Sequence, residues 1–175
     1  MMARASIVAV VFACGCTKQM SAQVTQPPLV MSAGLVARTS LPLEIVTRDM
    51  EYGPVRTRNS AYFVVVSRDR FRFHVVLQHK WDDVADLRTW NAYVLDARGH
   101  RLDVESLTAR VRPIDSFLIG GTLYRFRQPI YDGAGTFSVY APDLVDADGS
   151  ITLVLSRPGF EYRFHWITTD IDPEG

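Results

Sequence analysis

Cysteine is nearly missing from this chain. Its 175 residues include only two cysteines, Cys14 and Cys16, and both lie close to the N-terminus. No disulfide can therefore form within the sequence after Cys16. A domain without disulfides depends on its hydrophobic core for stability. The hydrophobic content of 47% is ordinary for a globular protein, and the length is sufficient for one domain with such a core.

An excess of charge of either sign is also missing. The sequence has 19 basic and 19 acidic residues, so its formal net charge is zero. Domains that bind nucleic acids usually carry a basic excess, and the sequence therefore predicts no nucleic-acid partner. Long apolar runs are absent as well, because none reaches the roughly 20 residues that a membrane-spanning helix needs.

Motifs that carry catalysis are absent from the sequence. There is no G-x-S-x-G nucleophile motif, no H-E-x-x-H metal motif and no S-x-x-K motif. The pair Gly120-Gly121 introduces a predicted strand, whereas phosphate-binding glycine loops precede a helix. The sequence therefore predicts neither an enzyme nor a bound cofactor. A pair of carboxylates for glycan cleavage stays an alternative, because the fold rather than the spacing places such pairs.

Metal ligands with a suitable spacing are also lacking. The four histidines do not follow a pattern that brings three or four ligands together. Two acidic clusters are weak candidates for calcium, because the first lacks oxygen ligands where an EF-hand loop needs them and the second has the simpler role of capping a turn. The sequence predicts no metal site. The residues considered are His74, His79, His100 and His165, then Asp143, Asp146 and Asp148 before Gly149, and finally Asp82, Asp83 and Asp86.

The N-terminus has the pattern of an export signal. Arg4 supplies a positive charge, residues 5–13 (ASIVAVVFA) form a short apolar core, and small residues follow. The ending FACGC resembles the lipobox of bacterial lipoproteins, in which the cysteine after the cleavage site is acylated. Gly15 favours Cys16 as that cysteine, and Cys14 is its rival. The alternatives are a plain secreted protein that is cut nearby and an apolar segment that stays as an anchor.

The lipoprotein resemblance also implies a location. Two or three acyl chains hold a protein to a membrane much more firmly than one. In lipoproteins of Gram-negative bacteria, an Asp after the acylated cysteine usually retains the protein at the inner membrane, but Thr17 follows Cys16 here. The resemblance therefore implies an exported protein that is anchored in the outer membrane and faces the periplasm. Exposure at the cell surface is the alternative.

The cleavage site and a change of pattern divide the chain into three predicted segments. These are a signal peptide (1–15), the acylated Cys16 with a flexible tether (16–40), and a β-sandwich domain (41–175). The tether is predicted because its sequence has few charges, no clear period and the pair Pro27-Pro28. The alternative is that residues within 29–36 add a strand to the domain.

From Leu41 onward apolar residues recur with a period of two, which is typical of β-strands. The segment 81–90 is the one helix-like piece, with Asp82 or Asp83 as its cap. Turns are predicted at 95–102 (with Gly99), 146–150 (with Gly149) and 157–159. The predicted inward residues are Phe71, Phe73, Val75 and Leu77, then Phe137 and Val139, and finally Phe160, Tyr162, Phe164 and Trp166.

Eight to nine short strands at this spacing favour an antiparallel β-sandwich, with a small barrel as the alternative. Residues 73–102 (FHVVLQHK through WNAYVLDARGHRL) resemble the middle of secreted bacterial immunoglobulin-like domains, and residues 135–166 resemble their last three strands. This resemblance covers about 100 residues and lacks the disulfide of antibody domains. It implies an immunoglobulin-like fold and does not indicate a function.

Three similar segments suggest a candidate binding surface. FRFH at 71–74, YRFR at 124–127 and YRFH at 162–165 each place two aromatic residues on one face and basic residues on the other. If all three share one sheet, the basic residues form a patch suited to phosphate or carboxylate groups. The alternative is an ordinary solvated sheet face with acidic partners across the strands. The candidate residues are Arg72, His74, Arg125, Arg127, Arg163 and His165.

Together these patterns favour a non-catalytic binding or scaffold module of the cell envelope. Membrane contact is expected through the N-terminal acyl chains, and the expected partner is an envelope protein or an anionic glycan. One alternative is a small enzyme, or an accessory domain of an enzyme, that acts on envelope glycan. Another is a structural lipoprotein that offers an open sheet edge for strand addition.

Overall fold

The computed structural model describes residues 17–22, 29–31, 34–49, 53–67, 69–141 and 149–169. Within them the chain forms thirteen β-strands and two short helical turns. The strands are β1 (Lys18–Ser21), β2 (Leu29–Val30), β3 (Val36–Ser40), β4 (Ile45–Asp49), β5 (Gly53–Arg56), β6 (Ser60–Ser67), β7 (Arg70–His79), β8 (Asn91–Leu95), β9 (Arg101–Asp103), β10 (Glu105–Ile119), β11 (Thr122–Tyr140), β12 (Gly149–Arg157) and β13 (Phe160–Thr169). The helical turns are α1 (Asp82–Ala85) and a 3-10 helix (Leu87–Thr89).

The strands form two large sheets and one separate hairpin. The five-stranded sheet has the order β10-β11-β7-β6-β3. The six-stranded sheet has the order β1-β13-β12-β8-β9, and β2 also pairs with β13. β4 and β5 form a two-stranded hairpin of their own. The described chain is therefore all-β, as predicted, although it has more strands than the eight to nine expected.

The core lies between the two large sheets. Phe63 from β6 and Phe73 from β7 are fully buried on one side, and Phe164 and Trp166 from β13 face them. The rings of Phe63 and Trp166 are T-shaped, with centroids 5.1 Å apart, an arrangement that aromatic pairs favour. Two sheets that face each other across one core are consistent with a β-sandwich.

The period-two predictions for the core strands are confirmed. The predicted inward residues that are buried are Phe71, Phe73, Val75 and Leu77 in β7, Phe137 and Val139 in β11, and Tyr162, Phe164 and Trp166 in β13. Phe160 is partly buried and packs against the core. The hairpin predicted at 95–102 joins β8 to β9, and the break predicted at 157–159 joins β12 to β13. Of the third predicted turn, residues 146–148 lie outside the described residues, and Gly149 begins β12.

The predicted tether is wrong for the described part of segment 16–40. β1 and β2 run parallel to β13, and β3 pairs antiparallel with β6. Met20 and Met31 are buried in the core. These strands belong to the two-sheet body, and the alternative of a strand within 29–36 is closer to the structure. The pattern was not visible because β1 is a strand at a sheet edge that buries only one of its four side chains.

The helix-like segment predicted at 81–90 is confirmed as α1 and the 3-10 helix. It lies against the inner face of β11, where a Cβ atom built on Gly133 would stand only 1.7 Å from the carbonyl oxygen of Ala85. Glycine at position 133 therefore permits this close approach. The buried side chains of Val84 and Leu87 then join the core between the sheets.

The capping residue of this segment differs from the prediction. Neither Asp82 nor Asp83 caps α1, because its N-cap position is Trp81, which makes no side-chain capping bond. Asp86 instead caps the 3-10 helix, where its carboxylate accepts a hydrogen bond from the backbone N–H of Arg88 at 3.0 Å.

Two hairpins project from one end of the two-sheet body. β11 pairs with β7 only between Tyr131 and Tyr140, so the pair β10–β11 continues past His79, the last residue of β7. We call residues 114–130 of this extension the arm. The arm turns at Gly120-Gly121, which have φ angles of +55° and +85°, as a tight hairpin turn requires. At about 3.3 Å per residue, it extends roughly 20 Å.

The β4–β5 hairpin starts at the same end and lies beside the arm. At its base, the backbone N–H of Thr57 donates to the carbonyl oxygen of Glu44 at 2.7 Å. Thr47 of β4 and Phe126 of the arm line a common crevice. Glu44 also forms an ion pair with Lys18, where β1 begins. We call this end of the body, with its two hairpins, the arm end.

None of the helices among the described residues is long and apolar enough to span a membrane.

Candidate binding groove

The three aromatic-Arg-Phe segments lie in different parts of the fold. FRFH at 71–74 belongs to β7 of the five-stranded sheet, YRFH at 162–165 belongs to β13 of the six-stranded sheet, and YRFR at 124–127 belongs to the arm. The outer faces of the two sheets point away from each other, because their inner faces share one core. The single basic face predicted from Arg72, His74, Arg125, Arg127, Arg163 and His165 is therefore wrong.

The first segment contributes to an ordinary outer face of the five-stranded sheet. The ring of His74 stacks on Tyr62, with centroids 4.5 Å apart and an angle of 12° between the planes. Its Nδ1 lies 3.1 Å from Oγ1 of Thr136. Burial, and then the charge of Arg72, lower the pKa of His74 and so favour its neutral form. Arg72 is the one residue of the segment FRFH that carries a permanent positive charge.

The third segment is neutralised locally on the outer face of the six-stranded sheet. Arg163 Nε donates to Oε1 of Glu161 at 2.7 Å. His165 Nδ1 lies 2.8 Å from Oγ1 of Thr152, and burial lowers the pKa of His165. The first and third segments therefore form no common basic face, and the third resembles the solvated face that was the alternative interpretation.

The middle segment, YRFR at 124–127, lies outside the core between the sheets. Tyr124 and Phe126 are half-buried in the arm and do not belong to the buried core, while Arg125 and Arg127 are exposed. The arm continues beyond the end of β7, so the aromatic residues pack against the arm itself and the β4–β5 hairpin. Tyr124 and Phe126 of this segment line a large apolar groove.

The groove lies between the arm and the β4–β5 hairpin and has a volume of about 690 Å³. We call it the arm groove. Its lining is mostly apolar, and each of the two hairpins supplies one wall. The lining residues are Leu43, Pro54, Val55, Arg56, Thr57 and Arg58 on one side, and Ile114, Phe117, Tyr124, Phe126 and Ile130 on the other, with Gln78 of β7.

Aromatic rings form the arm's wall of the groove. Phe117 of β10 stands opposite Tyr124 of β11, and their rings stack with centroids 5.5 Å apart. Phe117 also packs against Phe126, with centroids 5.0 Å apart. These contacts hold the rings on one face of the arm and give the wall a defined shape. Such aromatic surfaces supply much of the contact area at protein interfaces.

Two arginines on the opposite wall provide positive charge. Arg56 and Arg58 flank Thr57, which is buried and whose Oγ1 accepts a hydrogen bond from the backbone N–H of Glu44 at 3.1 Å. Thr57 thus fixes the backbone from which both arginines extend. Within the part of the chain that the structure describes, neither Arg56 nor Arg58 forms an ion pair. Their guanidinium groups are free to bind an acidic partner.

The lining of the arm groove has few of the side chains that commonly carry acid–base or nucleophilic chemistry. Of its lining residues in the described chain, none is an aspartate, glutamate, histidine, serine or cysteine. No cluster of three metal-ligating side chains occurs among the residues that the structure describes. Asp83 and Asp86 are engaged by Arg157 and Arg88 at 2.7 and 2.6 Å, and each bond lowers the pKa of its carboxyl group. The candidate calcium residues Asp143, Asp146 and Asp148 lie outside the described residues.

Sequence patterns did not predict the arm groove. The alternation of Tyr124 and Phe126 has the same form as the alternation in the core strands, and no pattern predicts β10. One available signal was the pair Pro113, just before the arm, and Pro129, near its end, because proline is disfavoured inside a sheet. Together with Gly120-Gly121 between them, these prolines are typical of a long hairpin at a sheet edge.

The predicted lipidation residue Cys16 and its rival Cys14 lie outside the described residues. Comparison of the chain with models of protein families, with curated proteins and with solved structures returned no match.

Proposed function

We propose that the protein is an exported lipoprotein of the cell envelope that works as a non-catalytic binding module, with the arm groove as its binding site. The observation that carries the proposal is the groove itself, which combines a mostly apolar lining, an aromatic wall and two arginines without ion pairs among the described residues. Binding sites typically combine apolar surface with a few convergent polar groups. Aromatic residues and arginine are also the side chains that dominate binding energy at interfaces.

Acylation of Cys16 is part of this proposal. The support is the sequence alone: the apolar segment 5–13, the ending FACGC and Gly15 before Cys16. Thr17 after the acylated cysteine favours an outer-membrane protein that faces the periplasm. The acyl chains then hold the module at one membrane, where its partner must also be present.

The strand order supports an immunoglobulin-like fold for the two-sheet body. In that fold one sheet has the strands A-B-E-D and the other has C-F-G, extended by C′ in variable-type domains. The order β6-β7-β11-β10 corresponds to the first sheet, and β9-β8-β12-β13 corresponds to the second. The connections β7–β8, β9–β10 and β11–β12 cross between the sheets, as B–C, C′–D and E–F do. The arm is then an extension of the D–E hairpin.

The groove favours a protein partner with an apolar segment and nearby acidic groups. Its lining contains seven large apolar or aromatic side chains other than proline, which suits an apolar peptide segment better than a sugar chain. Arg56 and Arg58 complement carboxylates on that segment. An anionic glycan would use the arginines but leave the aromatic wall without a matching surface.

Chemical cross-linking and co-purification from cell envelopes test this function. The variant Arg56→Glu/Arg58→Glu reverses the charge of the groove. Its matched control, Arg70→Glu/Arg72→Glu, makes the same charge change at exposed positions on the outer face of β7. We expect the groove variant to lose about tenfold or more of the captured partner, as removal of interface arginines often does, and the control to capture it normally.

Equal folding and equal acylation of both variants must be established first. Equal capture of one partner by both variants would contradict the assignment of the groove. A captured component that glycan-degrading enzymes remove, and proteases do not, would identify the ligand as a glycan.

A further inference from the structure

The N-terminal segment enters the fold at the arm end. β1 begins at Lys18, whose backbone N–H donates to the carbonyl oxygen of Gly159 at 3.0 Å, in the turn between β12 and β13. Lys18 stands opposite Phe160 and forms its ion pair with Glu44, at the base of the β4–β5 hairpin. Cys16 is only two residues before Lys18. Two residues of fully extended chain span at most roughly 7 Å.

Five of the ten exposed large apolar side chains among the described residues lie at the same end. Leu118 and Leu123 form a cross-strand pair next to the turn of the arm and are 68% and 57% exposed. Trp81, just after β7, is 50% exposed. Leu43 and Ile45, where the β4–β5 hairpin begins, are exposed as well. Five large apolar side chains therefore face solvent at one end of the body, which is an arrangement that marks interaction surfaces.

Cationic side chains accompany these apolar residues. The ammonium group of Lys80 lies over the ring of Trp81, 4.5 Å from its centroid. Arg125 is exposed and lies two residues from Leu123, so both belong to the same face of the arm. Tryptophan with neighbouring lysine or arginine is the combination that membrane proteins place at the boundary between lipid and water.

We infer that the arm end lies on the membrane surface, with Leu118 and Leu123 inserted into the lipid layer, Trp81 at the interface, and Lys80 and Arg125 against anionic headgroups. This inference rests on the proposed acylation of Cys16. The two-residue connection to β1 leaves the acylated end of the body no room to stand away from the lipid. Apolar insertion and attraction to anionic lipid then act together with the acyl chains.

The membrane contact leaves the arm groove free. Neighbouring cross-strand pairs of a hairpin point to opposite faces. Phe117 and Tyr124 line the groove, whereas the next pair, Leu118 and Leu123, does not. The arm can therefore contact lipid through one face and a partner through the other.

Two single-cysteine variants test the inference in the acylated, full-length protein. Leu118→Cys places a thiol at the tip of the arm. Tyr140→Cys places one at the opposite end of the body, where Tyr140 pairs with Arg70 at the start of β7 and is 64% exposed. Each introduced thiol is labelled with an environment-sensitive dye. The label is confined to that position, because acylation consumes the thiol of Cys16. The proteins are reconstituted into vesicles of phosphatidylethanolamine with about one third anionic phosphatidylglycerol.

We expect the emission of the dye at position 118 to shift to shorter wavelength in vesicles, and the emission at position 140 to stay as in water. Quenching by spin-labelled lipid should be roughly threefold stronger at position 118 than at position 140.

Equal exposure of the two dyes to water, with the acyl chains confirmed by mass spectrometry, would overturn the membrane contact and leave the proposed function intact. A shift at position 118 that disappears on dilution of protein in lipid would identify a second copy as the partner, and would also overturn it. An unacylated Cys16 would refute the proposed anchor, and the inference with it.

Discussion

At the residue scale, His79 shows how the fold sets the chemistry of one side chain. His79 is buried at the arm end, and its Nδ1 accepts a hydrogen bond from the backbone N–H of Trp81 at 3.1 Å. Burial, followed by the charges of Lys18 and Lys80, lowers its pKa from 6.5 to about 4. A second proton on the ring would occupy Nδ1 and end that hydrogen bond. The neutral form is therefore the one that the folded state stabilises.

This low pKa predicts a loss of stability in mild acid. Because the unfolded chain protonates His79 near pH 6.5 and the folded chain near pH 4, the unfolded state binds more protons between these values. The free energy of unfolding should have its highest value above pH 6.5 and should be lower by about 2–3 kcal/mol at pH 4.5. The lowered pKa values of His74 and His165 act in the same direction. Urea unfolding at a series of pH values measures this loss.

The variant His79→Asn is the matched control for this prediction. Asparagine can place an acceptor oxygen near the position of Nδ1 but does not titrate. Its stability should depend less on pH between 6.5 and 4.5. A variant that loses as much stability as the wild-type protein over this range would show that His79 is not the group responsible.

At the scale of elements, Gly133 and Gly135 of β11 both lie beneath α1 and the 3-10 helix, but a side chain would meet different atoms at the two positions. A Cβ at position 133 would stand 1.7 Å from the backbone oxygen of Ala85, whereas a Cβ at position 135 would meet Leu87 Cδ1, the end of a side chain, at 2.7 Å. A side chain can rotate away, but a backbone oxygen moves only with its helix. Gly133→Ala should therefore destabilise the protein by about 3 kcal/mol and Gly135→Ala by about 1 kcal/mol. Equal losses in denaturant unfolding would contradict the packing of α1 on β11.

Local pattern predicted the elements that bury one face in the core and failed for those that do not. The alternation in β7 and β13 is strong because every second residue contacts the opposite sheet. β10 could not be predicted, since it lies at a sheet edge and exposes residues such as Leu107, and since Pro113 is a residue type that strands disfavour. β1 was missed for a similar reason, because only Met20 among its four residues is buried.

At the scale of the whole molecule, the candidate site depends on contacts that no local pattern specifies. Phe117 and Tyr124 come together through the arm turn, but Val55 and Arg56 reach them only because the β4–β5 hairpin leaves the body at the same end. The sequence presented YRFR at 124–127 in the same form as the core strands. This segment lines a groove because the β4–β5 hairpin lies opposite it, which its own residue pattern does not predict. The same reasoning explains why the predicted basic face did not form.

The measurement that tests the central claim most directly is site-specific photocross-linking in intact cells. A photoreactive phenylalanine derivative replaces Tyr124 in the arm groove, and in a control chain it replaces Tyr140, which is more exposed but lies at the other end of the body. We expect a discrete covalent protein adduct from position 124 and none from position 140. The greater exposure of position 140 means that access alone cannot explain such a difference. No adduct from position 124, or the same adduct from both positions, would contradict a binding function for the arm groove.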